Sequence, residues 1–247
     1  MIRLIALLTL GIPTTIWYSL RIASAVYRNA PNVDCVCAEV PRAWARRMLR
    51  IAGVRVEVEA AENIDSAAPQ IIVVNHTSWF DPLALAGYVP GPYVFVAKKE
   101  VERVPFFGRA LRECGHIYID RRDRGLAVES LEIARQRLED DGRSIIMFPE
   151  GTRSTTGELQ RFKKGPFILA IQAGAEVVPA ALIGSRDVMR KNTILIRPGV
   201  IRLRFGTPIP VHSYDFEQRD ELADRAWQAL RDLLESATQG EGRRDPC

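Results

Sequence analysis

His76 and Asp81 stand five residues apart in the stretch Asn75-His76-Thr77-Ser78-Trp79-Phe80-Asp81, and His76 is one of only three histidines in the chain. The apolar run Ile71–Val74 leads into it and Pro82 follows at once, an order that predicts strand, sharp loop and helix start. Asp81 is the expected N-cap, with Pro82 in the first helical turn. Folding the loop back brings one imidazole nitrogen to the Asp81 carboxylate and fixes the tautomer, so that the other nitrogen faces outward as a base. With no serine or cysteine locked beside it, such a histidine suits activation of a substrate's own hydroxyl. Taken alone the pair also has a plainer reading, a helix cap and a satisfied loop histidine.

Further candidates cluster in two places. Lysine is scarce, five residues against twenty-nine arginines, yet four lysines form two pairs, Lys98-Lys99 and Lys163-Lys164. Each pair stands near a predicted strand end or helix start, where side chains converge on a crevice and can bind phosphate as mobile charges. The second cluster is Pro149-Glu150-Gly151-Thr152-Arg153-Ser154, just after the predicted strand Ser144–Phe148. Gly151 permits a tight turn, Thr152 and Arg153 offer a hydroxyl and a fork of donors, and Glu150 either orients Arg153 or accepts from a substrate hydroxyl. Arg121 and Arg122 close the predicted strand Gly115–Asp120. Along that strand His116 suits packing as readily as chemistry, and His212 sits in a proline-rich loop with no assigned role. Val177-Val178-Pro179-Ala180 reads as core strand or as a wall against an apolar ligand.

The elements that must position these residues alternate. Val54–Glu59, Ile71–Val74, Tyr93–Ala97, Gly115–Asp120, Ser144–Phe148, Val177–Ile183, Thr193–Ile196 and Val200–Phe205 read as strands. Arg124–Asp141, Gly165–Ala173 and Glu217–Ser236 read as helices, the last burying Ala223, Trp227, Leu230 and Leu234. The alternation predicts an α/β fold, a mostly parallel central sheet flanked by helices, over residues 54–239. Residues 240–247 form a polar tail.

Residues 1–53 differ in kind. They hold seven arginines against Asp34 and Glu39, a net +5, whereas the rest of the chain stands at −1. The basic end is also the apolar end, which favours an anionic membrane surface over nucleic acid, with about 1 kcal/mol per basic group near the surface. Residues 4–20 are apolar up to Arg21, short for a span, and Gly11-Ile12-Pro13 should kink a helix there. A cleaved signal, a single span and a helix dipping into one leaflet all fit, as does a helix packed on the domain itself. Membrane attachment without cleavage, helped by the basic amphipathic segment Val40–Ala52, is the reading adopted. The four cysteines make no disulfide framework or zinc set, and reduced thiols are expected.

Four ordered blocks over residues 70–185 resemble the glycerolipid acyltransferases typified by 1-acylglycerol-3-phosphate acyltransferase. They are NHTSWFD (75–81), VAKKEVERVPFFG through GHIYIDR (96–121), FPEGTRS (148–154) with FKKG (162–165), and VVPAAL (177–182). The resemblance implies that His76 is the general base and Asp81 its partner, and that acyl transfer runs directly from a thioester, acyl-CoA or acyl carrier protein, to lysophosphatidate. It implies substrate contacts from Lys98, Arg121, Glu150, Gly151, Thr152 and Arg153, and an acyl-donor wall of Val178, Pro179 and Leu182. Neither metal nor cofactor is implied; membrane lipids are the partners, on the cytoplasmic face of the cell membrane. Another lyso-lipid acceptor, such as lyso-ornithine lipid, and a non-catalytic lipid-binding protein are the alternatives. A thioesterase or lipase lacks its Gly-x-Ser-x-Gly elbow. Glu102-Arg103 is more charged than a membrane-facing segment of this family suggests.

Overall fold

The computed structural model of the chain describes residues 2–120 and 124–241. It opens on helix: α1 (Ile2–Ala6), a π turn over Leu7–Gly11 and α2 (Ile12–Tyr27) form one stretch of 26 residues, long and apolar enough to cross a membrane. The break expected at Gly11-Ile12-Pro13 takes the form of that wider turn. Proline lacks an N–H and its ring crowds the carbonyl four residues back, and a π turn relaxes that crowding. The helix runs on past Arg21, whose guanidinium lies over the Trp17 ring, 5.1 Å from the centroid.

Helix α3 (Val33–Ala52) returns along the first and buries Val40, Ala45, Leu49 and Ala52. Two of its arginines correct the reading of a basic membrane-facing stripe. Arg42 donates to the carbonyls of Val89 and Gly91 and lies over the Tyr93 ring. Arg46 donates to the Gly87 carbonyl at 2.7 Å and lies over Tyr88. These contacts therefore clamp α3 to the domain, although Arg46 is exposed, as are Arg47 and Arg50.

The domain then alternates through β1 (Val54–Glu59), β2 (Ile71–Val74), α4 (Asp81–Tyr88), β3 (Tyr93–Lys98), α5 (Phe107–Glu113), β4 (Ile117–Ile119), α6 (Arg124–Glu139), β5 (Ser144–Met147), α7 (Gly165–Ala173), β6 (Val177–Ile183), α8 (Ser185–Val188), β7 (Gly199–Phe205) and α9 (Arg219–Glu241). Among the described residues, seven strands make one sheet in the order β1-β7-β6-β2-β5-β3-β4, parallel at every pairing except β6 with β7. The fold class is the expected one. Successive side chains of a strand point to opposite faces. Ile71 and Val73 therefore join a core with α6, α7 and α9, while Ile72 and Val74 join a core with α3 and α4. Both faces are covered, which is why β2, β5 and β6 read as unbroken apolar runs.

Three expectations change. Thr193–Ile196 forms no strand: Ile196 is buried, but Ile194 is exposed, and neighbouring β7 already has β1 and β6 on its two edges. Cys37 on α3 and Cys114 after α5 form a disulfide, and Cys35 stays free and exposed, which corrects the reduced-thiol reading. Helix packing brings those two sulfurs together across 77 residues of chain, a proximity that no spacing reports. Glu102 meets Arg112 at 2.8 Å, so part of the unexpected charge before α5 is neutralised within the domain.

Candidate active site

Strands β2, β5, β3 and β6 end at one edge of the sheet, and the loops that follow them build the site. Asn75 carries the β2–β6 ladder one step past the strand, its amide donating to the Leu182 carbonyl at 2.9 Å and accepting from the Leu182 N–H at 2.7 Å. Thr77 meets the Ser185 hydroxyl at 3.0 Å, and Ser78 donates to the Met189 carbonyl at 2.8 Å. The loop is thus tied on both sides before any chemistry is considered.

Asp81 is fully buried and is the first residue of α4, with Phe80 in the cap position. This corrects its reading as N-cap. Its carboxylate turns back instead, where Oδ2 accepts from the N–H groups of Thr77 and Ser78 at 2.7 and 2.8 Å. The same oxygen meets His76 Nδ1 at 2.8 Å. With Asp81 Oδ2 facing Nδ1, the tautomer that carries its proton there leaves Nε2 as the basic nitrogen. The imidazole is stacked on Phe148, centroids 4.0 Å apart, and its side chain keeps 17% exposure. It is steadied yet reachable.

The loop after β5 lies against this pair. The Ser154 N–H donates to the His76 carbonyl at 2.8 Å, and Glu150 Oε1 accepts the His76 N–H at 2.6 Å. Glu150 Oε2 accepts from the Gln160 N–H at 3.1 Å. Burial pushes the Glu150 carboxyl up to about 7, against the two amides that favour its charged form. Gly151 takes the left-handed φ of +76° that turns the chain, and Thr152 is exposed. Arg153 lies over the Trp79 ring, 4.1 Å from guanidinium carbon to centroid. Its Nη1 is buried without a hydrogen-bond partner, and burial lowers its pKa. Lys191 donates to the Arg153 carbonyl at 2.6 Å.

Other candidates fall elsewhere. Lys98 ends β3 on the same sheet edge, two strands from β2, half-exposed and paired with Glu100 at 2.8 Å. Lys164 is paired with Asp220 at 2.7 Å. Val178 and Leu182 are buried beside α3 and α4, and Pro179 is buried on the opposite face near Leu233. Of the two readings of that segment, the core strand is the one these positions express, because β6 is interior to the sheet. His116 is buried and accepts from the Phe95 N–H at 2.9 Å, with its pKa lowered by burial to about 4, which makes it a packing residue. Arg121 lies outside the described residues, as do Arg122 and residues 242–247 of the tail.

Asn75, Phe148 and Lys191 had no assigned role in the sequence. A polar amide directly after four apolar strand residues is the one legible signal among them.

The site thus joins, at the carboxyl edge of a mostly parallel α/β domain, a histidine bonded to a buried carboxylate and a loop whose arginine has an unmatched donor. A family model described as Acyltransferase matches residues 55–183, more than half of the chain, and the protein belongs to that family. It is 33% identical over 192 residues to the human 1-acyl-sn-glycerol-3-phosphate acyltransferase alpha, covering 77% of this chain and 68% of that protein. With the 1-acyl-sn-glycerol-3-phosphate acyltransferase of Cocos nucifera it shares 34% identity over 173 residues, 70% of this chain and 56% of that one. It thus spans little more than half of the plant protein's length. The crystal structure of the 1-acyl-sn-glycerophosphate acyltransferase PlsC from Thermotoga maritima superposes with a TM-score of 0.82 at 22% identity, over 99% of this chain and 97% of that one. That likeness is one of fold.

Proposed function

We propose that the protein transfers a fatty acyl group from an acyl thioester, acyl-CoA or acyl-ACP, to the free hydroxyl of lysophosphatidate, giving phosphatidate. The observation that carries this reading is the His76–Asp81 pair at 2.8 Å, pinned against the loop that presents Arg153. Nε2 takes the hydroxyl proton as the oxygen forms its bond to the thioester carbonyl carbon. The tetrahedral oxyanion then collapses, the carbon–sulfur bond breaks, and the departing thiolate takes the proton from His76. Asp81 stabilises the imidazolium in between. Arg153 receives the acceptor's phosphate through the donor that now lacks a partner, with Thr152 and the Gly151 turn beside it. Lys98, at the same sheet edge, serves the anionic part of either substrate.

The apolar helix from Ile2 to Tyr27 attaches the enzyme to the cytoplasmic face of the cell membrane, with Ile5, Leu8, Trp17 and Leu20 exposed on it. Attachment has a physical reason, because moving an acyl chain into water costs about 0.8 kcal/mol per CH₂. The decisive assay is radiolabelled acyl transfer by His76→Ala. Transfer should fall by roughly 10²–10⁴-fold while membrane association persists. Undiminished transfer would remove His76 as the base, whereas no transfer by the wild type to any lyso-lipid acceptor would leave a lipid-binding protein without this chemistry.

A further inference from the structure

We infer that Glu150 is a positioning residue for His76, a strut that joins the base to the Arg153 loop, and makes no contact with substrate. The inference rests on the reading of His76 as base. Strands β2 and β5 pair through Val73 and Met147 and then end, so the ladder supplies no partner to the backbone beyond. Glu150 takes over there. One carboxylate oxygen holds the His76 N–H at 2.6 Å and the other holds the Gln160 N–H at 3.1 Å, closing residues 150–160 into a ring that contains Arg153. The His76 carbonyl is held by the Ser154 N–H of that ring, and Phe148, two residues before Glu150, stacks on the imidazole. His76 is therefore fixed through its N–H, its carbonyl and one ring face by a single loop, and Asp81 fixes Nδ1.

Glu150 keeps only 4% exposure and each of its oxygens already holds a backbone amide, so it offers little open surface to a substrate hydroxyl. The chemistry also explains why a carboxylate stands here. Two N–H groups need two acceptors, and a glutamine would turn its NH₂ toward one of them. An aspartate is one methylene shorter and reaches only one amide at a time.

The test measures kcat and the lysophosphatidate KM of the full chain, per folded molecule, for wild type, Glu150→Gln, Glu150→Asp, Glu150→Ala, His76→Ala and the double variant H76A/E150Q. Displacing a base by about 1 Å lowers rates on the order of 100-fold. Glu150→Gln should therefore lower kcat by about 10- to 100-fold and leave KM within about twofold, with Glu150→Asp recovering part of the loss. The double variant should be no slower than His76→Ala alone, because a strut without its base has nothing to position. A raised KM with unchanged kcat would make Glu150 a substrate contact and overturn the inference. So would an unchanged kcat, or an additive loss in the double variant, which marks general loosening of the fold. Full activity of His76→Ala would instead remove the base itself, a separate failure that the same series reveals.

Discussion

At Arg153 the environment is unusual for so polar a side chain: one face on an exposed indole, one nitrogen buried without a partner. Leaving a buried donor unmatched costs on the order of 1–3 kcal/mol, a cost that an anionic ligand would relieve. Stacking on Trp79 holds the guanidinium flat, so its fork is already oriented when the ligand arrives. Arg153→Ala should accordingly raise the lysophosphatidate KM by roughly 10-fold or more, with a smaller effect on kcat. Steady-state kinetics against a panel of lyso-lipid acceptors checks this. Indifference to the substitution would point to a phosphate-free acceptor such as lyso-ornithine lipid. Lys191, just after α8, holds the same loop through the Arg153 carbonyl at 2.6 Å.

Among the elements, α3 and the helix before it divide the work that a basic, apolar N-terminus suggests they share. Guanidinium bonds to backbone carbonyls contribute about 1.5–3 kcal/mol each, and rings beneath them add to that. R42A/R46A should therefore lower Tm by several degrees while vesicle flotation stays intact. Substituting serine at Leu8, Trp17 and Leu20 should do the reverse, abolishing flotation on anionic vesicles with little change in Tm, since these side chains are exposed. Equal effects of the two sets on both readouts would contradict the division.

For the whole molecule, stability integrates buried groups far apart in sequence. His116 is held neutral with its pKa at about 4, below its unfolded 6.5, so the stability tied to it is present above 6.5 and lost as pH falls toward 4. Glu150 has the opposite sense. Raised from 4.5 to about 7, it favours the folded state at low pH, and that contribution is lost as pH rises through 7. Each shift corresponds to at most about 3–4 kcal/mol, and between pH 4.5 and 6.5 they largely offset one another. Glu150→Gln removes one of the two. Its Tm should climb more steeply than that of wild type from pH 4.5 to 6.5, as thermal melts across that range would show. Parallel curves would mean that Glu150 does not titrate there.

Local information sufficed where neighbours along the chain decide the outcome. The limits of β2, α7 and β6 follow from apolar runs ended by turn residues, and the His76–Asp81 contact spans only five positions. The four ordered blocks were enough to indicate the family, which the family model supports. What needed the assembled fold is everything set by partners distant in sequence. Glu150 braces His76 from 74 positions away, Arg42 turns inward to carbonyls 47 and 49 positions on, and Cys37 meets Cys114. The alternation at Thr193–Ile196 could not disclose that it lacks a strand partner. A sequence fixes which groups each residue carries and how neighbours twist. Which carboxylate faces which amide depends on strand order and helix packing, and those are settled only when the whole core closes.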